Sequence, residues 1–260
     1  TAGLAPAERL RDRGMLSNVL WANETISRLM GDFGSARDFS DHGLALMPRD
    51  PRLLGTRTLL EYEIGAFDQG DAYYQRLVEA MRQTPSGASF EYAFVASVTG
   101  FAAHYTGLVG RFDFDVAKTA AKAVLSTPAT TPLVAIRAHT GLALMAVEEG
   151  DVAAATEAYR FHESKRGTMT PGGMGSIDHI LGLLAGTMGR VDVALSHFED
   201  ALAFCAKAGY QPEYAHAACD YANALLNPVG GALGGRPGHP HRGAPTDPAN
   251  RAKAMTLLDE

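Results

Sequence analysis

The stretch GDFGSA at residues 31–36 returns 34 residues later as GAFDQG at residues 65–70. In both stretches a small residue, Ala36 or Gly70, follows the first glycine by five positions. A glycine readily adopts the left-handed conformation that ends a helix, and a small side chain lets a second helix pack closely against the first. The two stretches therefore predict a repeating unit made of two helices and a short turn.

Three later stretches extend this repeat along the chain. They begin at Gly110, Gly150 and Gly189, and the one at Gly110 follows the pattern least well. The repeat at Gly189 is the most complete, because Ala194 and Phe198 follow at the spacing of one helical face. Since these later copies lie more than 34 residues apart, we expect longer connections and an irregular array.

The period and the hydrophobic pattern together predict the fold class. A period of 34 residues is typical of tetratricopeptide (TPR) repeats, and almost no stretch alternates like a half-buried strand. The sequence therefore predicts an all-α fold, a TPR-like right-handed superhelical solenoid of about five to six helical hairpins. We expect a single domain over residues 1–260, with a flexible Gly/Pro-rich loop at 229–246. The predicted hairpins cover roughly residues 8–48, 50–84, 88–127, 132–168, 176–210 and 212–260.

Composition and charge exclude several classes of protein. The chain of 260 residues is 46% hydrophobic, which can support a substantial core, and its net charge is −6. Its 23 basic residues are dispersed, so we expect no direct contact with nucleic acid. Polar residues interrupt every apolar run before the roughly 18 residues that span a membrane, so we expect no membrane partner. Cys205 and Cys219 are too few for a disulfide framework, which predicts a reducing, cytoplasmic setting.

From Gly150 onward the chain resembles a known group of sequences. The similarity is carried by GSIDHILGLLA at 175–185, GR at 189–190, HFEDAL at 197–202, DYA at 220–222 and LLDE at 257–260. These stretches resemble the helical-repeat tails of large bacterial signalling proteins, in which an ATPase is joined to a class III adenylate or guanylate cyclase or to a LuxR-type DNA-binding domain. The resemblance implies a regulatory or interaction region without catalytic machinery. Because the sequence starts at Thr1 without an initiator methionine and ends inside a predicted helix, we also expect a piece of a longer protein.

The first helices of stacked hairpins line a concave groove, which is the usual binding surface of such arrays. We expect this groove to bind a protein or peptide partner, including another domain of the same protein. Its aromatic side chains would act as anchors, and Arg137 would read a carboxylate. For Trp21 and Tyr62 the alternative is simple packing between hairpins. The candidate groove residues are Asn18, Trp21, Arg52, Tyr62, Glu63, His104, Arg137, Thr140, His179 and His216.

No pattern of residues indicates catalysis. The sequence holds no nucleophile elbow, and the stretch TPGGMG at 170–175 lacks the lysine of a phosphate-binding loop. His216, Cys219 and Asp220 share one predicted helix, but one helix alone rarely completes a metal site. We therefore predict no enzyme activity, no catalytic residue, no cofactor and no metal.

These features favour a protein-interaction or regulatory module of a larger bacterial signalling or transcription-regulating protein. The alternative is a sensor whose groove closes on a small-molecule or peptide effector. Exposed helix faces at the ends of a solenoid could also drive self-association.

Overall fold

The computed structural model describes residues 12–227 and 248–259, and this part of the chain carries α-helices and no β-strand. The all-α prediction is therefore confirmed, whereas the predicted loop at 229–246 lies outside the described residues. The helices are α1 (Arg13–Leu29), α2 (Phe33–Leu46), α3 (Pro51–Glu63), α4 (Phe67–Arg82), α5 (Phe90–Thr106), α6 (Phe114–Leu125), α7 (Pro132–Glu149), α8 (Val152–Glu163), α9 (Ile177–Thr187), α10 (Val191–Ala208), α11 (Gln211–Leu226) and α12 (Pro248–Asp259). None of these helices combines the length and the apolar character required to cross a bilayer.

Consecutive helices form pairs, in which each odd-numbered helix packs against the even-numbered helix that follows it. The two helices of four of these pairs are connected by the same kind of turn. Gly31, Gly65, Gly150 and Gly189 all adopt a positive φ, between 66° and 78°. The residue after each glycine donates its backbone N–H to the carbonyl five positions earlier, as Asp32 does to Ser27 at 2.8 Å. This bond satisfies a carbonyl that the end of the helix would otherwise leave without a partner. The small residue five positions after each glycine is buried against the preceding helix of its pair.

The third helix pair is connected differently. The sequence pattern predicts Gly110 as its turn glycine, and this prediction is wrong. Helix α5 ends at Thr106, and its C-cap Gly107, three residues before Gly110, has the left-handed conformation with φ 57°. Gly110 instead lies in a short 3-10 turn formed by Val109–Arg111, because the connection to α6 is longer than in the other pairs.

Helices pack in two ways along the chain. Each odd-numbered helix pairs with the even-numbered helix that follows it, and each odd-numbered helix also contacts the next odd-numbered one. Helices α5 and α7 approach closely at Gly141, where an added Cβ atom would lie 2.2 Å from the carbonyl oxygen of Ala96. Helix α11 also contacts α1, so the first and last odd-numbered helices meet.

The connection between α8 and α9 runs through the space between the odd-numbered helices. We call residues 168–176 the inner segment. Its residues Thr170, Met174 and Ser176 are buried. Tyr105 on α5 donates a hydrogen bond to the carbonyl of Met174 at 2.8 Å, and Arg28 on α1 donates one to the carbonyl of Gly173. The inner segment thus occupies the face on which the sequence predicts a groove.

Candidate functional site

Two of the predicted groove residues lie within helix pairs and away from the inner segment. Tyr62 on α3 packs against Gly70 on α4, and its hydroxyl donates a hydrogen bond to Asp71 at 2.6 Å. Thr140 on α7 is hydrogen-bonded to His162 on α8 at 3.1 Å. Both side chains therefore join the two helices of one pair.

Asn18, Trp21 and Arg52 form a group where α1 meets the start of α3. The Arg52 guanidinium binds Asn18 and Asp50 and lies 5.5 Å from the centre of the Trp21 ring. Trp21 also lies beside Gly172 of the inner segment, and its indole Nε1 has no hydrogen-bond partner among the described residues.

Arg137 on α7 is a buried cation without an acidic partner among the described residues. Its guanidinium lies 3.8 Å from the centre of the Phe94 ring and donates a hydrogen bond to the sulfur of Met174 at 3.1 Å. Burial lowers the pKa of Arg137 to about 9. The inner segment therefore covers the guanidinium that the sequence predicts to bind a partner's carboxylate.

Glu63 belongs to a buried group of charges shared by α1 and α3. Arg28 donates a hydrogen bond to Glu63 at 2.5 Å, and both side chains are at most 3% exposed. Glu24 lies one helical turn before Arg28 and is also buried. Burial raises the pKa of Glu24 to about 7, in spite of the opposing charge of Arg28.

His104, His179 and Asp220 come together from three different helices. Their positions are on α5, α9 and α11, and one donor atom from each lies within 4.8 Å of the others. The Nε2 atom of His104 is 2.9 Å from Oδ2 of Asp220, and the Nε2 atom of His179 is 2.8 Å from the same oxygen. Asp220 is therefore shared by both imidazoles. We call these three residues the His–Asp cluster.

The second nitrogen of each imidazole also faces a carboxylate. Nδ1 of His104 is 2.7 Å from Glu148 on α7, and Nδ1 of His179 is 3.0 Å from Glu213 on α11. Glu213 in turn accepts hydrogen bonds from the backbone N–H of Ser176 and from the hydroxyl of Tyr105. Through Glu148 and Glu213 the cluster is connected to a fourth odd-numbered helix, α7, and to the inner segment.

The carboxylates govern the protonation of the two histidines. Burial alone would lower the pKa of His104, but the charges and hydrogen bonds of Asp220 and Glu148 outweigh it and raise the pKa to about 10. Burial is likewise outweighed at His179, where Glu213 and Asp220 raise the pKa to about 9. The two imidazoles hold the pKa of Asp220 well below its usual range in spite of burial. The site therefore has a strong preference for positive charge at its centre.

His216 lies beside the cluster but is in a different state. Its ring stacks on that of Tyr105, with the ring centres 3.8 Å apart. Burial lowers the pKa of His216 to about 4, so this imidazole is neutral at neutral pH. Cys219, which the sequence places next to Asp220, is exposed and is not part of the cluster.

A second group, made of Asp178, His197 and Asp200, has a similar composition. Arg166 already forms ion pairs with both of its aspartates, at 3.4 Å and 2.6 Å. Nε2 of His197 is hydrogen-bonded to Tyr159 at 2.9 Å. A guanidinium therefore supplies the positive charge that a metal ion would bring to this group.

A cleft of about 1040 Å³ opens where several helices begin, and we call it the end cleft. It lies between the starts of α1, α3, α5 and α7 and the end of α2. Its apolar side chains include Met47 and Phe90, each more than a third exposed, and Met15 and Leu133 are exposed close by in the sequence. The hydroxyl of Ser89, which also lines the cleft, has no hydrogen-bond partner among the described residues.

Comparison with known proteins finds no family model, no curated protein and no solved structure that matches this chain. The site is therefore interpreted from its own geometry. Sequence reasoning missed the roles of Arg28, Glu148 and Glu213, since each pairs with a partner on another helix. It considered Asp220 only beside its neighbours in sequence, although its partners are 41 and 116 residues away.

Proposed function

We propose that this chain is a TPR-like helical-repeat module that binds a segment of a partner protein. In this proposal it acts as a regulatory region of a larger bacterial signalling or transcription-regulating protein and has no catalytic activity of its own. The recurring turn at Gly31, Gly65, Gly150 and Gly189 supports the repeat assignment, because the same helix ending is used at each. Contacts between successive odd-numbered helices are also those expected of a stacked array.

The end cleft carries the proposal, because it is a large and partly apolar opening between five helices. The inner face suits an external peptide less well, since the inner segment and the ion pairs of Arg28 and His104 already fill it. Exposed apolar side chains grouped around one opening are typical of a protein-binding surface. We therefore place the partner in the end cleft instead of the predicted groove.

The chemistry of the cleft favours an apolar peptide segment that also carries an acidic group. Met47 and Phe90 offer apolar contacts, and the unpaired hydroxyl of Ser89 can bind a polar atom of the peptide. Arg49 lines the cleft, is exposed, and forms no ion pair with a described residue. A carboxylate on the bound segment would provide that counter-charge.

Selection of peptides from a random displayed library, followed by affinity measurement, tests the proposal. We expect apolar peptides with at least one Asp or Glu, and their affinity should fall at least about tenfold in the double variant Met47→Asp/Phe90→Asp. The double variant Ile26→Asp/Val152→Asp is the matched control, because it adds the same charges at exposed apolar positions outside the cleft. If no peptide is selected, or if both variants bind equally, the proposal is wrong.

The second candidate is a sensor of a small-molecule effector. The volume of the end cleft, about 1040 Å³, is just above the range of about 300–1,000 Å³ that is typical of small-molecule sites. A thermal-shift screen of a metabolite library tests this candidate. A compound that raises the melting temperature of the wild type, but not that of Met47→Asp/Phe90→Asp, would favour the sensor. A ligand present at 100 times its dissociation constant adds about 2.7 kcal/mol of stability, which such a screen detects.

A further inference from the structure

The His–Asp cluster has more hydrogen-bond contacts than two neutral imidazoles can make. All four ring nitrogens of His104 and His179 lie within 3.0 Å of a carboxylate oxygen. A neutral imidazole has one N–H and one lone pair, so one nitrogen of each ring would direct its lone pair at a carboxylate. Three arrangements avoid this repulsion. Both rings are imidazolium ions, or the facing carboxylates are protonated and donate to the lone pairs, or a cation takes the place of one proton on each ring.

The positions of the carboxylates favour the arrangement with a cation. Glu148 and Glu213 each face an Nδ1 atom, while both Nε2 atoms converge on Asp220. A histidine that binds a metal usually donates its other N–H to a carboxylate, which fixes the tautomer and directs the lone pair at the metal. Both histidines of the cluster have such a carboxylate. We infer that His104 and His179, through Nε2, and Asp220, through Oδ2, bind a divalent transition-metal ion.

The charge of the site agrees with this assignment. A divalent ion bound by two neutral imidazoles carries the same charge as the two imidazolium protons that it replaces. The negative charges of Asp220, Glu148 and Glu213 therefore stabilise a bound divalent ion in the same way as they stabilise a proton on each imidazole. Among the other groups packed nearby, His216 is neutral, Tyr105 bonds to Glu213, and Arg28 is paired with Glu63. None of them places an unpaired cation against the cluster.

The two distances between the imidazoles and Asp220 need only a small adjustment to hold the ion. A tetrahedral site with bonds of about 2.0–2.2 Å separates neighbouring donor atoms by about 3.3 Å. The distances from the Nε2 atoms to Oδ2 of Asp220 are now 2.9 Å and 2.8 Å, so each would lengthen by about 0.5 Å. The Asp220 side chain is 16% exposed, more than either imidazole, so solvent reaches the cluster on the side of Asp220. Two imidazoles and one carboxylate suit Zn²⁺, and they also suit Fe²⁺ or Co²⁺.

The ion would tie together parts of the chain that are distant in sequence. Its ligands come from α5, α9 and α11, and Glu148 adds α7 through its contact with His104. Glu213 also binds the backbone N–H of Ser176, so the ion would stabilise the inner segment in its buried position. This inference is independent of the end cleft, which the cluster does not line.

Titration of the chelator-treated full chain with Zn²⁺ tests the inference directly. We expect one ion per chain, a higher melting temperature, and a release of protons that grows as the pH of the titration is lowered, since an imidazole binds a metal ion only in its neutral form. Co²⁺ should give the visible absorption of a four-coordinate site. In wild-type protein labelled with ¹⁵N-histidine, the Nε2 resonances of His104 and His179 should shift on addition of Zn²⁺. The labelling readout needs no variant, so it remains decisive if a buried substitution impairs folding.

Variants locate the ion. Asp220→Asn, which keeps the size of the side chain, should abolish binding, and Glu213→Gln should weaken it about 10–100-fold. His42→Ala, which removes an exposed histidine outside the cluster, should bind as the wild type does. The inference is overturned if the wild type does not bind Zn²⁺ at millimolar concentration. It is also overturned if binding survives Asp220→Asn but is lost in His197→Ala, since the ion would then lie in the Asp178 group.

Discussion

Arg28 on α1 donates a hydrogen bond to Glu63 on α3 at 2.5 Å, and the structure buries both side chains almost completely. The same guanidinium binds the carbonyl of Gly173 and offsets the charge of Glu24. One cation thus joins two helices and the inner segment. Groups of this kind are costly to break, because removing one partner leaves the others buried without a counter-charge.

Replacement of Arg28 tests how strongly this group stabilises the fold. At pH 8 we expect Arg28→Met to lower the free energy of unfolding by about 3–5 kcal/mol, because Glu63 and Glu24 are then buried without their cation. Lys118→Met removes the exposed ion pair with Glu149 and should cost about 1 kcal/mol or less. Urea unfolding of the two variants gives the comparison. Equal losses would show that burial does not strengthen the Arg28 contacts.

The protonation of Glu24 predicts a pH dependence of stability. Its pKa is about 7 in the folded chain, against 4.5 for an unperturbed glutamate, so the folded state binds more protons between these values. Stability from this group is fully present below about pH 4.5 and is lost as the pH rises through 7. The shift corresponds to about 3 kcal/mol in total.

Urea unfolding of the wild type and of Glu24→Gln from pH 4.5 to 8 measures this effect. The difference in stability between the two proteins should change by an amount on the order of 3 kcal/mol across that range, with Glu24→Gln gaining relative to the wild type as the pH rises. A constant difference would mean that Glu24 titrates normally in the folded state.

The close approach of α5 and α7 makes Gly141 sensitive to substitution. A Cβ atom at this position would lie 2.2 Å from the carbonyl oxygen of Ala96, and a backbone atom in a helix cannot move aside easily. We expect Gly141→Ala to lower the free energy of unfolding by about 1–3 kcal/mol. Gly110→Ala is the control, because nothing lies within 4 Å of its added Cβ and its φ is not positive. That variant should unfold at the wild-type denaturant concentration or slightly above it.

The two cysteines should differ in reactivity. Cys219 is exposed, whereas Cys205 is buried and its pKa is raised by burial to about 12. Since the thiolate is the reactive form, a thiol reagent should modify Cys219 in the folded chain and reach Cys205 only after unfolding. Counting modified thiols by mass spectrometry, with and without denaturant, provides the measurement. Modification of both thiols under native conditions would indicate that α10 opens locally.

Sequence alone determined the local features of this chain. Helical periodicity and the glycines at 31, 65, 150 and 189 predicted an all-α fold and four turns, because a helix ending depends on only a few adjacent residues. The same reasoning failed at Gly110, since the extra 3-10 turn cannot be read from a glycine alone. Among the described residues, two helices fall in each predicted hairpin range, with α11 beginning one residue before its range.

The tertiary structure alone decided what lies against the inner face. Periodicity placed His104 and His179 on the first helices of their pairs, but it could not show that Asp220 meets both of them. Such contacts depend on how helices that are distant in sequence cross, and on the meeting of α11 with α1. The burial of the inner segment is also a tertiary feature. Arg137 lies so close to Gly172, and Leu29 so close to Gly173, that neither position has room for a Cβ atom, and both neighbours are distant in sequence. Local sequence thus specifies the helices and most of their turns, whereas long-range packing creates the site.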